Sequence, residues 1–210
     1  MGCGPKSSAR TDADSAPHRV WEKALEETGR LHFFYHSPSS SLPVRDVLND
    51  QGAGYKKEPY LEKSAENYCV PCLQRNIHGF VMSNEKYLFL FTTRKNSKHD
   101  ESRYIVGYLK KQKCLRRFYK KERHWAVQGP IRLFSFDQAF PLRKLRGLGK
   151  SAADHLRFKK LDTEQTLELI THFKKGKNIF PECLREVGRL KQILANRGFD
   201  AASCPHTCRS

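Results

Sequence analysis

The chain has 210 residues, the length of one domain or of one domain with a helical appendage, and 38% of its residues are hydrophobic. Its formal net charge of +17 exceeds what solubility requires, so we expect a polyanionic partner, of which nucleic acid is the commonest. No stretch approaches the roughly 18 consecutive apolar residues that cross a bilayer, and the N-terminus lacks the apolar core of a signal peptide. These features favour an intracellular protein, cytoplasmic or nuclear, without a transmembrane segment.

The excess positive charge is concentrated in the middle of the chain. Residues 101–160 contain 17 Lys and Arg against 4 Asp and Glu, an excess of 13. A histone-like tail would place such charge at a terminus with few apolar residues, whereas here it alternates with apolar runs. We therefore expect a folded basic surface that binds a partner. The alternative is an ordinary solvated face.

Both ends of the chain are predicted to lack fixed structure. Residues 1–20 are small, polar and aperiodic, which predicts a disordered tail, and residues 199–210 predict a flexible one. Gly2 and Cys3 could accept myristate and palmitate, but Lys6 stands where the acylation pattern has Ser or Thr. Membrane attachment is therefore not expected.

The segment from residue 79 onward predicts a hairpin-rich sheet. Five short runs rich in Val, Ile, Phe and Tyr are separated by polar and turn-forming residues: GFVMS, YLFLFTT, RYIVGYL, HWAVQG and IRLFSF. A further aromatic run, LHFFYHS, precedes them. Because YLFLF and YIV are apolar at consecutive positions, both faces of these strands should be covered. The predicted fold is α+β, a small antiparallel β-barrel with flanking helices.

The remaining segments predict helices. Residues 37–79 contain two short stretches with a weak helical pattern. Residues 151–198 predict a pair of C-terminal helices packed on the domain, the first of them beginning after Asp162 as the N-cap. The apolar stripe of that first helix is predicted to be Leu167, Ile170 and Phe173.

Four cysteines could form a structural zinc site. Cys69 and Cys72 are separated by two residues, the spacing at which both thiolates reach one zinc ion, and the C-terminal CPHTC adds Cys204 and Cys208. The gap between the two pairs exceeds 130 residues, which is longer than in a local zinc finger. Buried or free thiols are the alternative. No other cofactor is predicted.

The sequence contains no recognised catalytic pattern. His99-Asp100-Glu101 resembles the start of the nucleobase deaminase signature, but no Pro-Cys-x-x-Cys follows it. A Gly-x-x-x-x-Gly-Lys loop, a Gly-x-Ser-x-Gly elbow and a His-Glu-x-x-His helix are all missing. The acids of the basic segment are too scattered to predict a Mg²⁺ site. We therefore assign no catalytic residues.

A basic strip, defined as residues 110–125 (KKQKCLRRFYKKERHW), carries eight Lys or Arg among Phe118, Tyr119 and Trp125. Cationic side chains bind phosphates, and aromatic faces stack on exposed bases at about 1–3 kcal/mol each. This combination suits a single strand or a flipped base better than a closed duplex. The predicted nucleic-acid-binding residues are Arg94, Lys95, Arg103, Lys110, Lys111, Lys113, Arg116, Arg117, Lys120, Lys121 and Arg123.

The order of the runs resembles the PUA-like superfamily, which includes the ASCH, EVE and YTH domains. Ile105-Val106-Gly107-Tyr108-Leu109 is similar to the apolar-apolar-Gly-x-apolar strand of those domains, and HWAVQGPIRLFSFDQAFPL is similar to the strand and short helix that follow. The match covers about residues 31–145 of a domain predicted at 21–150. The resemblance implies a small barrel that binds nucleic acid. In the EVE and YTH branches it implies an aromatic pocket for a modified base, for which Phe33, Phe34, Tyr35 and Trp125 are candidates by residue type.

The predicted function is thus a nucleic-acid-binding module that recognises an unstacked or modified base in RNA or DNA. Two alternatives stay open at this point. One is a nuclease-like, nucleic-acid-processing enzyme. The other is a membrane-attached adaptor that uses Gly2, Cys3 and the basic segment 101–160.

Overall fold

The chain forms an α+β fold, seen here in a computed structural model that describes residues 27–37, 42–43, 60–62, 67–71, 75–95, 101–119, 122–149, 156 and 158–196. The described strands are β1 Gly29–Ser37, β2 Tyr60–Glu62, β3 Asn67–Pro71, β4 Tyr87–Lys95, β5 Glu101–Lys110, β6 Lys113–Tyr119, β7 Glu122–Gln128, β8 Ile131–Leu133, β9 Phe140–Pro141 and β10 Phe158–Leu161. The described helices are α1 Arg75–Val81, a 3₁₀ helix Leu142–Lys144, α2 Thr163–Phe173 and α3 Phe180–Asn196. The predicted tails, residues 1–20 and 199–210, lie outside this part of the chain.

The strands form two sheets. The large sheet has the order β10-β1-β4-β5-β8, with β9 also paired to β5, and the small sheet has the order β2-β3-β7-β6. All pairings are antiparallel except β1 with β4, which run parallel. A long connection between β1 and β4 permits a parallel pair, which a tight hairpin cannot form. The prediction of a purely antiparallel sheet is therefore wrong, and the pairings of the described strands close neither sheet into a barrel.

The large sheet is covered on both faces, as its consecutive apolar residues predict. Leu88 and Leu90 of β4 pack in a core that also contains Trp125 and Val127 of the small sheet, and we call it the inter-sheet core. The alternate residues of β4, such as Phe89, pack in a second core with residues of α2, which we call the helix-side core. Successive strand residues point to opposite faces, so one apolar run supplies both cores.

Helix α2 begins where the sequence predicts. Asp162 accepts a hydrogen bond from the backbone N of Gln165 at 2.8 Å, and the Gln165 side chain accepts one from the backbone N of Asp162. This reciprocal pair satisfies two backbone donors of the first turn. The predicted stripe is wrong in part: Leu167 is 38% exposed, whereas Leu169 is fully buried together with Phe173 one turn later.

Three other predictions are corrected. GFVMS lies mostly in α1 and not in a strand, because Ile77 and Phe80, three residues apart, are buried on one helical face. Residues 60–71 contain strands β2 and β3 where a weak helical pattern was present. The segment 151–198 holds strand β10, paired antiparallel with β1, in addition to its helices.

Candidate nucleic-acid interface

The basic strip folds as the end of β5, a short turn and the hairpin of β6 and β7. The two hairpin strands pair from Lys113 opposite Gln128 to Tyr119 opposite Glu122. Strand β6 is one of the two outermost described strands of the small sheet, the other being β2. Strand β6 is not among the apolar runs from which the sheet is predicted. It is a strand because Cys114 and Leu115, on alternate faces, each have a buried surface to pack against.

The turn before β6 is held in place by a glycine. Gly129, which follows β7, has a φ of 150°, and a Cβ there would collide with the carbonyl of Lys110. The backbone N of Lys110 donates to the carbonyl of Pro130 at 3.0 Å, and that of Gln112 donates to the carbonyl of Gln128 at 2.9 Å. The close approach requires glycine, and it sets the end of β5 beside the end of β7.

Three cations of the basic strip are exposed side chains of this region. Lys110 ends β5, Lys113 begins β6, and Arg116 lies in the middle of β6. None of the three has a carboxylate partner among the described residues. They are therefore the predicted cations that the structure leaves open to an anionic ligand.

Lys111 has a structural role. Its Nζ donates to the carbonyls of Phe80, at 2.9 Å, and Ser83, at 2.6 Å, and lies 4.5 Å from the centre of the Phe80 ring. Partial burial lowers the pKa of its ammonium group below the ordinary value. The ammonium thus caps the carbonyl end of α1 and the turn behind it, where a cation is favoured. The prediction that Lys111 binds phosphate is not supported by these contacts.

Two predicted cations of β4 and β5 are also partly buried against aromatic rings. Arg103 donates to the carbonyl of Leu156 at 2.7 Å, and its guanidinium carbon lies 5.8 Å from the centre of the Phe33 ring. The Arg94 guanidinium carbon lies 5.0 Å from the centre of the Phe136 ring. Both side chains are partly buried, and Arg103 is held by a backbone carbonyl, so neither is grouped with the exposed cations of the basic strip.

Five predicted cations have no described side chain. Lys95, Arg117 and Arg123 lie in strands β4, β6 and β7, and for them the structure describes the backbone alone. Lys120 and Lys121 lie outside the described residues.

The four aromatic residues proposed for a base pocket are not brought together by the described contacts. Trp125 is 8% exposed and packs in the inter-sheet core, 6.0 Å between ring centres from His78. Phe33 packs against the helix-side core, 5.4 Å from Phe91. The side chains of Phe34 and Tyr35 lie outside the described ones. A single pocket containing Phe33 and Trp125 would need both cores to open on the same surface.

A different aromatic residue, Tyr108, lies at the surface next to cations. Tyr108 is partly exposed, and four rings surround it at centre distances of 5.9 Å for Tyr87 and Phe89, 6.2 Å for Phe173 and 6.4 Å for Phe134. In the sequence, Tyr108 occupies the unspecified position x of the apolar-apolar-Gly-x-apolar strand. The signal that could have found it is the spacing of Tyr108 and Lys110, two residues apart on one strand and therefore on one face.

Arg132 lies directly beside Tyr108 in the sheet. The two residues are paired partners of β8 and β5. The Arg132 guanidinium donates to the carbonyl of Gly176 at 2.8 Å, and its carbon lies 5.4 Å from the centre of the Phe134 ring. On the other side of Tyr108, the Lys110 Nζ lies 5.6 Å from the centre of the Tyr87 ring. A partly exposed ring is thus flanked by two cations.

A buried ion pair stabilises the region where the end of β5 meets the turn after α1. Arg30 and Glu85 form a two-point ion pair, with 2.8 Å from the arginine NH2 group to Oε1 and 2.6 Å from Nε to Oε2. Ser83 Oγ donates to Glu85 Oε2 at 2.8 Å. Charge-assisted contacts therefore connect strand β1 to the turn after α1. Lys111 connects the same turn to the end of β5.

The zinc prediction is not decided by the described residues. Cys69 lies in β3, where only its backbone is described, opposite Tyr60 and Ala126, and Cys72, Cys204 and Cys208 lie outside the described part. Among the described side chains, no three His, Cys, Asp or Glu come close enough to hold a metal ion. The zinc site stays a prediction.

Neither a protein-family model nor a curated protein sequence matches this chain. Separately, no helix in the described part of the chain has both the length and the apolar character that crossing a bilayer requires.

Proposed function

We propose that the protein is a nucleic-acid-binding module whose β5–β6 turn and β6–β7 hairpin contact the phosphate backbone. The observation that carries the proposal is the exposure of Lys110, Lys113 and Arg116 within seven residues of a chain with a net charge of +17. Lys113 and Arg116, three residues apart, project from opposite faces of β6. Because β6 is an edge strand among the described strands, both long side chains border the same sheet edge, along which a phosphate backbone would lie. Each phosphate contact releases condensed counterions, and this release supplies sequence-independent affinity.

We further propose that the protein belongs to the PUA-like superfamily, whose domains contain a small barrel. This membership is supported by the order of the runs around Ile105–Leu109 and by the strands β4, β5, β7 and β8 that those runs form. This more specific proposal includes recognition of an unstacked or modified base in RNA or DNA. The burial of Trp125 makes that residue a poor candidate for the base contact. An intracellular location, cytoplasmic or nuclear, follows from the proposed ligand.

Cations on an outermost strand also have a purely protective role, because they discourage pairing with the strand of another molecule. Lys113 and Arg116 would then affect solubility and leave nucleic-acid affinity unchanged. The nuclease-like alternative would instead show cleavage of the bound strand. Two measurements, one of binding and one of cleavage, separate these three roles.

The test is fluorescence anisotropy with labelled single-stranded RNA, single-stranded DNA and duplex DNA over a series of KCl concentrations. The double variant Lys113→Gln/Arg116→Gln should bind more weakly and flatten the plot of log affinity against log salt by about one and a half units. The matched control, Lys144→Gln/Lys160→Gln, removes two exposed cations elsewhere and should keep the wild-type slope.

A wild-type affinity that ignores salt, or equal slopes for the two double variants, would contradict the proposal. Gel analysis of the same oligonucleotides after incubation with Mg²⁺ tests the nuclease-like alternative. Intact strands are expected, and divalent-ion-dependent products would replace the binding proposal with an enzymatic one.

A further inference from the structure

We propose that Tyr108, Lys110 and Arg132 form a nucleotide-binding patch, in which a base of a single-stranded nucleic acid stacks against Tyr108 and the adjacent phosphates contact the two cations. The inference rests on the proposed function and assigns its base contact to a residue that sequence reasoning passed over. The patch lies on the face of the large sheet that carries the helix-side core.

The first support is the rigidity of the Tyr108 ring. Rings from three different elements surround it, Tyr87 and Phe89 from β4, Phe173 from the end of α2, and Phe134 just after β8, all within 6.4 Å between centres. Since Tyr108 is partly exposed while Phe89, Phe134 and Phe173 are buried, it is the outer ring of the cluster. A ring already held in place loses little side-chain entropy when a base stacks on it.

The second support is the arrangement of charge around that ring. Lys110 is exposed, and its Nζ lies over the Tyr87 ring on one side of Tyr108. Arg132 pairs with Tyr108 on the other side, and its orientation is fixed by the carbonyl of Gly176. The nearby carboxylate, Glu27, has Lys86 at 3.7 Å and hydrogen-bonds Tyr87. The patch therefore keeps an excess of positive charge.

The third support is continuity with the basic strip. Lys110 ends β5 and Lys113 begins β6, with a two-residue turn between them. A backbone that follows β6 would pass around the end of β5 at Lys110, whose side chain lies over Tyr87 on the helix-side face, and would there reach Tyr108. Stacking of one base on an aromatic side chain is sequence-tolerant, because every base has a π-face.

The experiment compares Tyr108→Leu with Tyr108→Phe in anisotropy titrations against labelled oligo(U) and oligo(dT). Leucine keeps apolar volume and loses the ring, so affinity should fall about 5- to 150-fold with an unchanged salt slope. Phenylalanine keeps the ring and should bind like the wild type. Lys110→Gln should flatten the slope by somewhat under one unit, about 0.7 to 0.9, while the control Lys160→Gln should not.

A second readout does not depend on the variants folding. Photocross-linking of the wild-type protein to a 5-bromouracil oligonucleotide, followed by mass spectrometry, should place the adduct on Tyr108 in the tryptic peptide 104–110. Wild-type affinity in a folded Tyr108→Leu variant, or a cross-link map without Tyr108, overturns the patch. If Lys113→Gln/Arg116→Gln still weakens binding in that case, the proposed function stands alone. A wild-type protein that binds neither oligonucleotide overturns both.

Discussion

The guanidinium carbon of Arg116 lies 4.9 Å from the centre of the Trp125 ring, and the two residues are paired partners across the β6–β7 hairpin. Arg116 is exposed and Trp125 is a core residue, so one cation connects the basic surface to the inter-sheet core. A cation over an indole ring contributes about 0.5–1 kcal/mol at an exposed site. Arg116 therefore contributes to stability as well as to the charge of the strip. Its guanidinium also covers the Trp125 ring, on which a base would have to stack.

Replacing Trp125 with Ala should therefore affect folding first. Truncation of a large core aromatic costs about 3–5 kcal/mol of unfolding free energy, whereas Trp125→Phe keeps most of the packing. Denaturant unfolding of both variants gives the comparison. Oligonucleotide affinity of the Ala variant, measured under conditions where it is still folded, should stay close to that of the wild type. Normal stability with a large loss of affinity would restore Trp125 as a base-contacting residue.

The Arg30–Glu85 pair gives a second prediction about stability. The side chains are 12% and 3% exposed, so Glu85→Gln removes the carboxylate charge from a largely buried ion pair. We expect a loss of about 3–5 kcal/mol in unfolding free energy. The double variant Arg30→Met/Glu85→Met removes both charges and should recover a large part of that loss. If the double variant is less stable than Glu85→Gln, the attraction between the two charges exceeds the free-energy cost of removing both from water.

Cys183 predicts a dependence of stability on alkaline pH. Burial, and to a lesser extent Glu182, raises the pKa of its thiol from the ordinary 9.0 to about 12. The folded state then keeps a proton that the unfolded state loses above pH 9, so this contribution is present below pH 9 and is lost as the pH rises toward 12. Burial also raises the pKa of Tyr87, which acts in the same direction, so absolute stability alone is not diagnostic.

The measurement that isolates Cys183 is the difference in unfolding free energy between the wild type and Cys183→Ala. The alanine variant should be less stable at pH 8, because Cys183 is 2% exposed and packs in the inter-sheet core. That difference should shrink by about 1 kcal/mol between pH 8 and pH 10, under reducing conditions. A constant difference would mean that the thiol titrates alike in both states.

The zinc prediction is tested by removing the C-terminal cysteines. If Cys69 and Cys72 share a zinc ion with Cys204 and Cys208, truncation after Asp200 should release the metal and lower the melting temperature, because metal binding is coupled to folding. Elemental analysis of the purified full chain is the first measurement. A metal-free protein, or a truncated chain that retains stoichiometric zinc, would refute this ligand set.

Much of the local structure was determined by the sequence itself. The capping box of Asp162 and Gln165 starts α2 as predicted, because its two hydrogen bonds join residues three apart. The consecutive apolar residues of β4 required a sheet covered on both faces, and the structure provides a core on each side. The concentration of positive charge is likewise a property of the sequence.

Only the tertiary structure decided which of those cations are available and which aromatic ring is exposed. Lys110 and Lys111 are neighbours of the same type, yet one is open to solvent while the other is bound to carbonyls of Phe80 and Ser83, about thirty residues away. Trp125 is buried because α1 and the large sheet pack over it, and Tyr108 is partly exposed at the edge of its aromatic cluster. Burial of a side chain depends on partners that are remote along the chain, and no local pattern encodes them.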